Sequence, residues 1–204
     1  MTSLNRFGVP VAIWCLGLGA CHMHGSSAAA QALYADAARH DPRGKPYVIG
    51  VADVVRVSVW KDESLSTDAI VRPDGTITVP LVGELRAAGR TAAELQQEAS
   101  QRLSSVVKDA PVTVSVTEIN SYRFTVAGNV EHPGLFTARY YLTVSEALAL
   151  AGGPNRYADT DHVVVVRPVS GSLLRIPVDY DAILSGKSPE QDIVVLAGDS
   201  VRVP

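Results

Sequence analysis

The sequence predicts an α+β protein of two small mixed domains. Three observations carry this. Short runs alternate apolar and polar residues with a period of two, as half-buried strands do; two segments open on a helix-capping pattern; and turn residues punctuate the chain from Tyr47 to its end. The composition of the 204 residues, 47% hydrophobic and 19% charged, is that of a chain able to bury such cores.

In the first unit, residues 47–120, Val55, Val57 and Val59 share one strand face, with Arg56, Ser58 and Trp60 on the other. Pro73-Asp74-Gly75 supplies a turn, since proline fixes its first corner and glycine accepts a positive φ; Thr76–Val79 is then expected as the return strand of a hairpin with the valine strand. Thr91 with Glu94 three residues on forms a capping box, and Leu95, Ala99, Leu103 and Val106 follow at helical spacing, so a helix is expected over about 91–107. Beyond Pro111, Val112–Thr117 alternates again as a strand.

The second unit, residues 121–204, begins with the apolar run at Phe124–Gly128 and a Pro133-Gly134 turn. Thr143 and Glu146 repeat the capping box, Val144, Ala147, Leu148 and Ala151 line one helix face, and Gly152-Gly153-Pro154 stops it. Strands are expected at 162–167, 173–178 and about 193–196, before the terminal Gly198–Pro204 segment.

The N-terminal segment reads as an address rather than as fold. Arg6 precedes an apolar run, Phe7–Ala20, of about 14 residues, the length of a signal-peptide core and short of the ~20 needed to span a bilayer as a helix. Leu18-Gly19-Ala20-Cys21 resembles the lipobox of bacterial lipoprotein precursors. That resemblance implies a signal peptide over residues 1–20, cleavage between Ala20 and Cys21, and acylation of Cys21, whose thiol suits thioether chemistry. An ordinary signal peptide with a neighbouring cysteine is the plainer alternative. His22, in place of the aspartate that retains such proteins at the inner membrane, points to the outer membrane. Residues 21–46 are expected as a lipidated flexible tether, because they are small, polar and only weakly periodic.

Charge and residue chemistry exclude several classes. The net charge of -3 becomes -4 without residues 1–20, in which Arg6 is the one charged side chain, and clustered basic residues for nucleic acid are lacking. The two cysteines, Cys15 and Cys21, both lie near the N-terminus, so no disulfide framework is expected downstream. His22, His24, His40, His132 and His162 are not at metal-ligand spacing, no Gly-x-Ser-x-Gly elbow occurs, and no metal or cofactor is expected. The acidic pairs Asp62/Glu63 and Asp159/Asp161 read as solvated loop charges rather than glycosidase carboxylates. Trp60, Tyr140 and Tyr141 have faces suited to stacking on sugar rings, and are equally candidates for core or subunit-contact positions.

Taken in order, Tyr47-Val48-Ile49-Gly50 with Asp53, Arg72-Pro73-Asp74-Gly75-Thr76-Ile77 with Pro80-Leu81-Val82-Gly83, and Gly89 with Thr91, Glu94 and Leu95 resemble the polysaccharide biosynthesis/export domain. Val126–Val130, Pro133-Gly134, Thr143-Val144, Ala149–Gly153 and Leu196-Ala197-Gly198-Asp199 resemble the SLBB domain, a β-grasp module. The resemblance implies a non-enzymatic, Wza-like outer-membrane lipoprotein at the periplasmic face: a homo-oligomeric ring that conducts capsular polysaccharide or exopolysaccharide, above an inner-membrane chain-length-regulating copolymerase. The sequence shows one SLBB unit where long members have two, and ends without their C-terminal amphipathic helix. A separate outer-membrane β-barrel is therefore expected to complete the path. A monomeric glycan- or protein-binding adaptor lipoprotein is the competing reading, and a polysaccharide hydrolase or lyase a third.

Overall fold

A computed structural model describes residues 28–105, 107 and 111–204. The elements, in chain order, are α1 (Ala28–Arg39), β1 (Val54–Val59), β2 (Asp62–Ile70), β3 (Thr76–Val79), β4 (Gly83–Arg86), α2 (Ala92–Ser104) and β5 (Val112–Glu118). There follow β6 (Arg123–Gly128), β7 (Gly134–Thr137), α3 (Val144–Leu150), β8 (Val163–Val169), β9 (Ser172–Val178), α4 (Tyr180–Leu184) and β10 (Ser200–Val203).

In the first domain β1 is the centre of an antiparallel sheet of order β2-β1-β5, and β3 and β4 form a separate hairpin. Val55, Val57 and Val59 do share the buried face, together with Val112 and Val114 of β5. The hairpin partner of β1 is β2, however: Val59 pairs with Asp62 across Trp60-Lys61 and Val54 with Ile70. The expected pairing of β1 with Thr76–Val79 is corrected accordingly, since β3 pairs with β4, Ile77 opposite Leu85. The Asp74 turn forms as read: Gly75, at φ +82°, donates its N–H to Arg72 O, and Asp74 Oδ1 accepts from the Thr76 N–H and hydroxyl. Helix α2 carries the complete capping box on Thr91 and Glu94 and lays Leu95, Ala99 and Leu103 on the core.

The second domain is a five-stranded sheet of order β7-β6-β10-β8-β9, in which β6 and β10 run parallel and the other neighbours antiparallel. This is the β-grasp arrangement: a hairpin, a helix, then strands that return so that the last lies beside the first. Helix α3 has its capping box on Thr143 and Glu146 and buries Val144, Ala147 and Leu148. Phe124, Val126, Val163, Val165, Ile176, Val178, Val201 and Val203 supply the sheet's half of the core. The segment about 193–196 is not a strand; it makes a single bridge, Thr143 to Val194, because its N–H groups are spent on loop partners such as Gln191 O and Leu142 O.

Part of the expected tether is folded. Ala30, Tyr34 and Ala37 fall at helical spacing on α1, are 8%, 4% and 8% exposed, and join the core of the second domain. Tyr34 also donates its hydroxyl to Pro177 O of β9 at 2.8 Å. The two alanines bring the helix backbone close enough for one aromatic ring to reach the sheet. This corrects the flexible reading for residues 28–39, which an alanine-rich composition had disguised.

Candidate functional site: an interdomain hub and the surfaces it fixes

Ala20 and Cys21 lie outside the described residues. Within them, the densest polar arrangement sits where the two domains meet. Asp53, fully buried at the entry to β1, receives five hydrogen bonds. Its Oδ1 accepts the backbone N–H groups of Asn120 and Ser121, both at 2.8 Å. Its Oδ2 accepts the Tyr47 hydroxyl at 2.7 Å, the Gly50 N–H at 2.8 Å and the Ser121 hydroxyl at 3.1 Å. A buried charge is tolerable only when so satisfied. Burial, and then the neighbouring Asp53 carboxylate, push the Tyr47 phenol above its ordinary value, against the opposing Ser121 hydrogen bond, so it stays a donor. Asn120 closes the ring by donating its amide to Ala52 O at 3.2 Å.

Gly50 is required by proximity. A Cβ there would lie 2.3 Å from the Ser121 Cβ, so a methyl would wedge the two segments apart. The hub ties Tyr47–Asp53 to Asn120-Ser121, and Tyr122 carries the connection onward by donating its hydroxyl to Val195 O at 2.9 Å and accepting the Leu142 N–H. The segment that connects the two domains is thereby pinned to the entry of β1 by buried bonds.

A second buried charge organises the far end of the β-grasp domain. Arg167 donates to both carboxylate oxygens of Asp199, its Nη2 lying 2.7 Å from Oδ2, and also to Val194 O. Asp199 Oδ2 accepts the Leu196 N–H at 2.7 Å as well. The Leu196–Asp199 turn is thereby fixed from inside.

The aromatic candidates separate. Trp60, 67% exposed at the β1–β2 turn, and Tyr140, 69% exposed, are surface residues rather than core, whereas Tyr141 packs edge-on against Tyr122. Tyr140 borders an open groove of about 480 Å³ lined also by Arg139, Leu142, Glu146, Ala149 and Leu150. The acidic pairs engage in local contacts: Asp62 accepts from the Ser64 N–H and hydroxyl, and Glu63 faces Arg56 at 3.7 Å. His162, which the sequence shows as an isolated histidine, has its Nδ1 3.0 Å from Asp159 and 3.1 Å from Asp161, and these two carboxylates hold its pKa above the usual value. The three side chains are exposed, and their arrangement is that of a surface ion-pair cluster.

Comparison with known proteins bears on this architecture directly. Residues 41–117 match the family model of the polysaccharide biosynthesis/export protein, and residues 123–177 match that of the SLBB domain. The chain carries an export domain followed by an SLBB domain. The hub therefore lies on their junction, with Asp53 from the export side and Ser121 from the boundary. The chain is 28% identical over 186 residues to the EPS I polysaccharide export outer membrane protein EpsA of Ralstonia solanacearum, covering 79% of this chain and 48% of that one. It is 34% identical over 127 residues to the exopolysaccharide production protein ExoF of Rhizobium meliloti, covering 56% and 30%. The polysialic acid transport protein KpsD of Escherichia coli is 28% identical over 145 residues, covering 69% and 25%. The chain thus spans about half the length of EpsA or less of the others. No helix among the described residues is long and apolar enough to cross a membrane, which leaves strand-built spans untouched.

Proposed function

We propose that this chain is a lipid-anchored ring component of a capsule or exopolysaccharide export machine, held at the periplasmic face of the outer membrane through Cys21. The observation that carries the reading is the ordered pair of export and SLBB domains, with the segment between them pinned by Asp53. A subunit that must repeat around a closed ring needs a restrained angle between its contact surfaces, and three buried bonds from Asp53 to Asn120-Ser121 hold the segment between the domains in support of one. Relatives named as polysaccharide export or transport proteins support the same role. In this reading the work is mechanical rather than catalytic: several copies frame a passage for the glycan, an inner-membrane copolymerase delivers it, and a separate β-barrel completes the path.

The test is the mass of the mature, detergent-solubilised protein by light scattering. A ring gives several times the monomer mass, with no turnover of candidate glycans. A Cys21→Ser variant should lose its acyl label and leave the membrane fraction. The adaptor reading draws on the groove at Tyr140, where an exposed ring lies beside Arg139 and Glu146. It wins if the protein stays monomeric while binding glycan there.

A further inference from the structure

The SLBB sheet has one covered face and one open face. α1 and α3 pack on the side of Val165, Ile176 and Val201. Register places the alternate residues on the other side: Leu135, Thr125, Ser200, Val166 and Arg175 lie in one row across the five strands. In the adjoining rows Arg202 lies between Ala127 and Val164, and Arg123 lies opposite Thr137. The charged strand residues on this face are thus Arg123, Arg175 and Arg202, with no carboxylate among them, in a chain that has 21 acidic and 18 basic residues. A face meant only for water carries both signs. Leu135 and Leu173 on the same face are 65% and 70% exposed. With strands ~4.8 Å apart and ~3.4 Å per residue, the three arginine Cα atoms are roughly 12–16 Å from one another. That is too dispersed for one phosphate or carboxylate and suits an extended acidic surface.

The export domain offers such a surface. Its sheet is covered by α2 on the Val55 and Val57 side and open on the other. On the open side Arg56 is flanked by Asp68 and Ser115, and Val54 by Ile70 and Glu118. The single guanidinium lies 3.7 Å from Glu63 and 3.6 Å from Asp68, so two carboxylates share it, and Glu118 adds a third negative charge to the face. Ile70, 65% exposed, supplies an aliphatic side chain to match Leu135 or Leu173.

We propose that the open arginine face of the SLBB sheet docks against the open acidic face of the export-domain sheet of a second copy of this chain. The inference rests on the ring reading and names its contact. The two patches differ and sit on one chain, so their union is head-to-tail and repeats from copy to copy. The exposed leucines favour a protein surface over a glycan, because they need an apolar complement that Ile70 provides.

Paired charge reversal tests this in the mature, detergent-solubilised protein by light scattering. One variant carries Arg123→Glu, Arg175→Glu and Arg202→Glu; the other carries Glu63→Lys, Asp68→Lys and Glu118→Lys. Each alone should fall to monomer mass, and an equimolar mixture should regain the parent's mass, since every contact between unlike variants is again complementary. That recovery also demonstrates that both variants fold. The milder pair Arg175→Gln and Arg202→Gln should raise the dissociation constant at least tenfold. Should both reversal variants assemble like the parent, the docking is refuted and the ring stands. Should the arginine variant stay assembled but lose retention on an acidic polysaccharide such as alginate, the face is a glycan surface and the docking is again refuted. A parent that is monomeric at every concentration refutes the ring and the docking together.

Discussion

Replacing Asp53 by asparagine probes the junction with almost no change of shape. An asparagine keeps one oxygen, best spent on the Asn120 and Ser121 N–H groups, and turns an amide NH₂ toward the other three partners. The Tyr47 and Ser121 hydroxyls can rotate to accept from it. The Gly50 N–H, 2.8 Å away, cannot, and is left buried facing a donor. One charge-assisted bond lost and one N–H unsatisfied cost about 2–4 kcal/mol together, and the remaining bonds weaken as the charge disappears. For a folded body of this size each kcal/mol shifts the melting temperature by roughly 2–4 °C, so a fall of about 5–15 °C is expected. Calorimetry reads it, and because the bond lost, from the Gly50 N–H to position 53, lies within the export domain, the unfolding of that domain should move down the most. An Asp53→Asn protein that melts within about 1 °C of the parent refutes the view that this carboxylate organises the entry to β1 and the segment beside it.

Three substitutions and one titration extend the test. Gly50→Ala places a methyl against Ser121 and should cost about 1–3 kcal/mol in urea unfolding, with Ser121→Gly added to it recovering part of the loss. Arg167→Ala leaves the Asp199 charge, 0% exposed, without its guanidinium, and about 3–5 kcal/mol of stability should be lost; the same measurement on Arg167→Ala with Asp199→Ala should show a smaller loss. Tyr34→Ala should cost about 3–5 kcal/mol and expose residues 28–39 to protease, while Tyr34→Phe, which removes only the bond to Pro177 O, should cost about 1 kcal/mol. In an NMR titration His162 should change charge above the reference value of 6.5, and Asp159→Asn with Asp161→Asn should bring it back down. Since its folded-state pKa is the raised one, its contribution to stability is complete below pH 6.5 and is lost as pH climbs through the folded value.

Local chemistry was legible in the sequence and pairing was not. Both capping boxes, the β1 alternation, the Gly75 turn and the strands β8 and β9 follow from neighbours in the chain, and all form. β2 escaped because its sequence, Asp-Glu-Ser-Leu-Ser-Thr-Asp-Ala-Ile, alternates weakly and a register shift between Val57 and Val59 breaks its pairing with β1. Its absence left β1 to be matched with the next apolar run, β3. Helix α4 is only five residues long and gave no periodic signal. α1 was hidden by its alanines, whose value lies in letting Tyr34 reach β9, a partner more than 140 positions away. Asp53 stood out within a family motif, but its donors at Asn120 and Ser121 are backbone N–H groups 67 and 68 positions along, which no residue type announces. Likewise the sign of the open SLBB face depends on which strands are neighbours, so three scattered arginines become a patch only through the sheet order.

Were Cys21 the membrane anchor, the docking of α1 would limit how far the body could stray from it. Were residues 21–46 free chain, their contour of roughly 85–90 Å would let the body roam well away from the bilayer. With α1, which begins at Ala28, docked on the SLBB core through Ala30, Tyr34 and Ala37, only residues 22–27 would separate the anchor from the helix, a reach of at most about 25 Å. A range so short limits the tumbling of each subunit and raises the local concentration of its neighbours in the plane of the membrane. With such an anchor the SLBB domain, on which α1 packs, would be held close to the lipid, and copies would meet within a thin layer rather than in bulk solution.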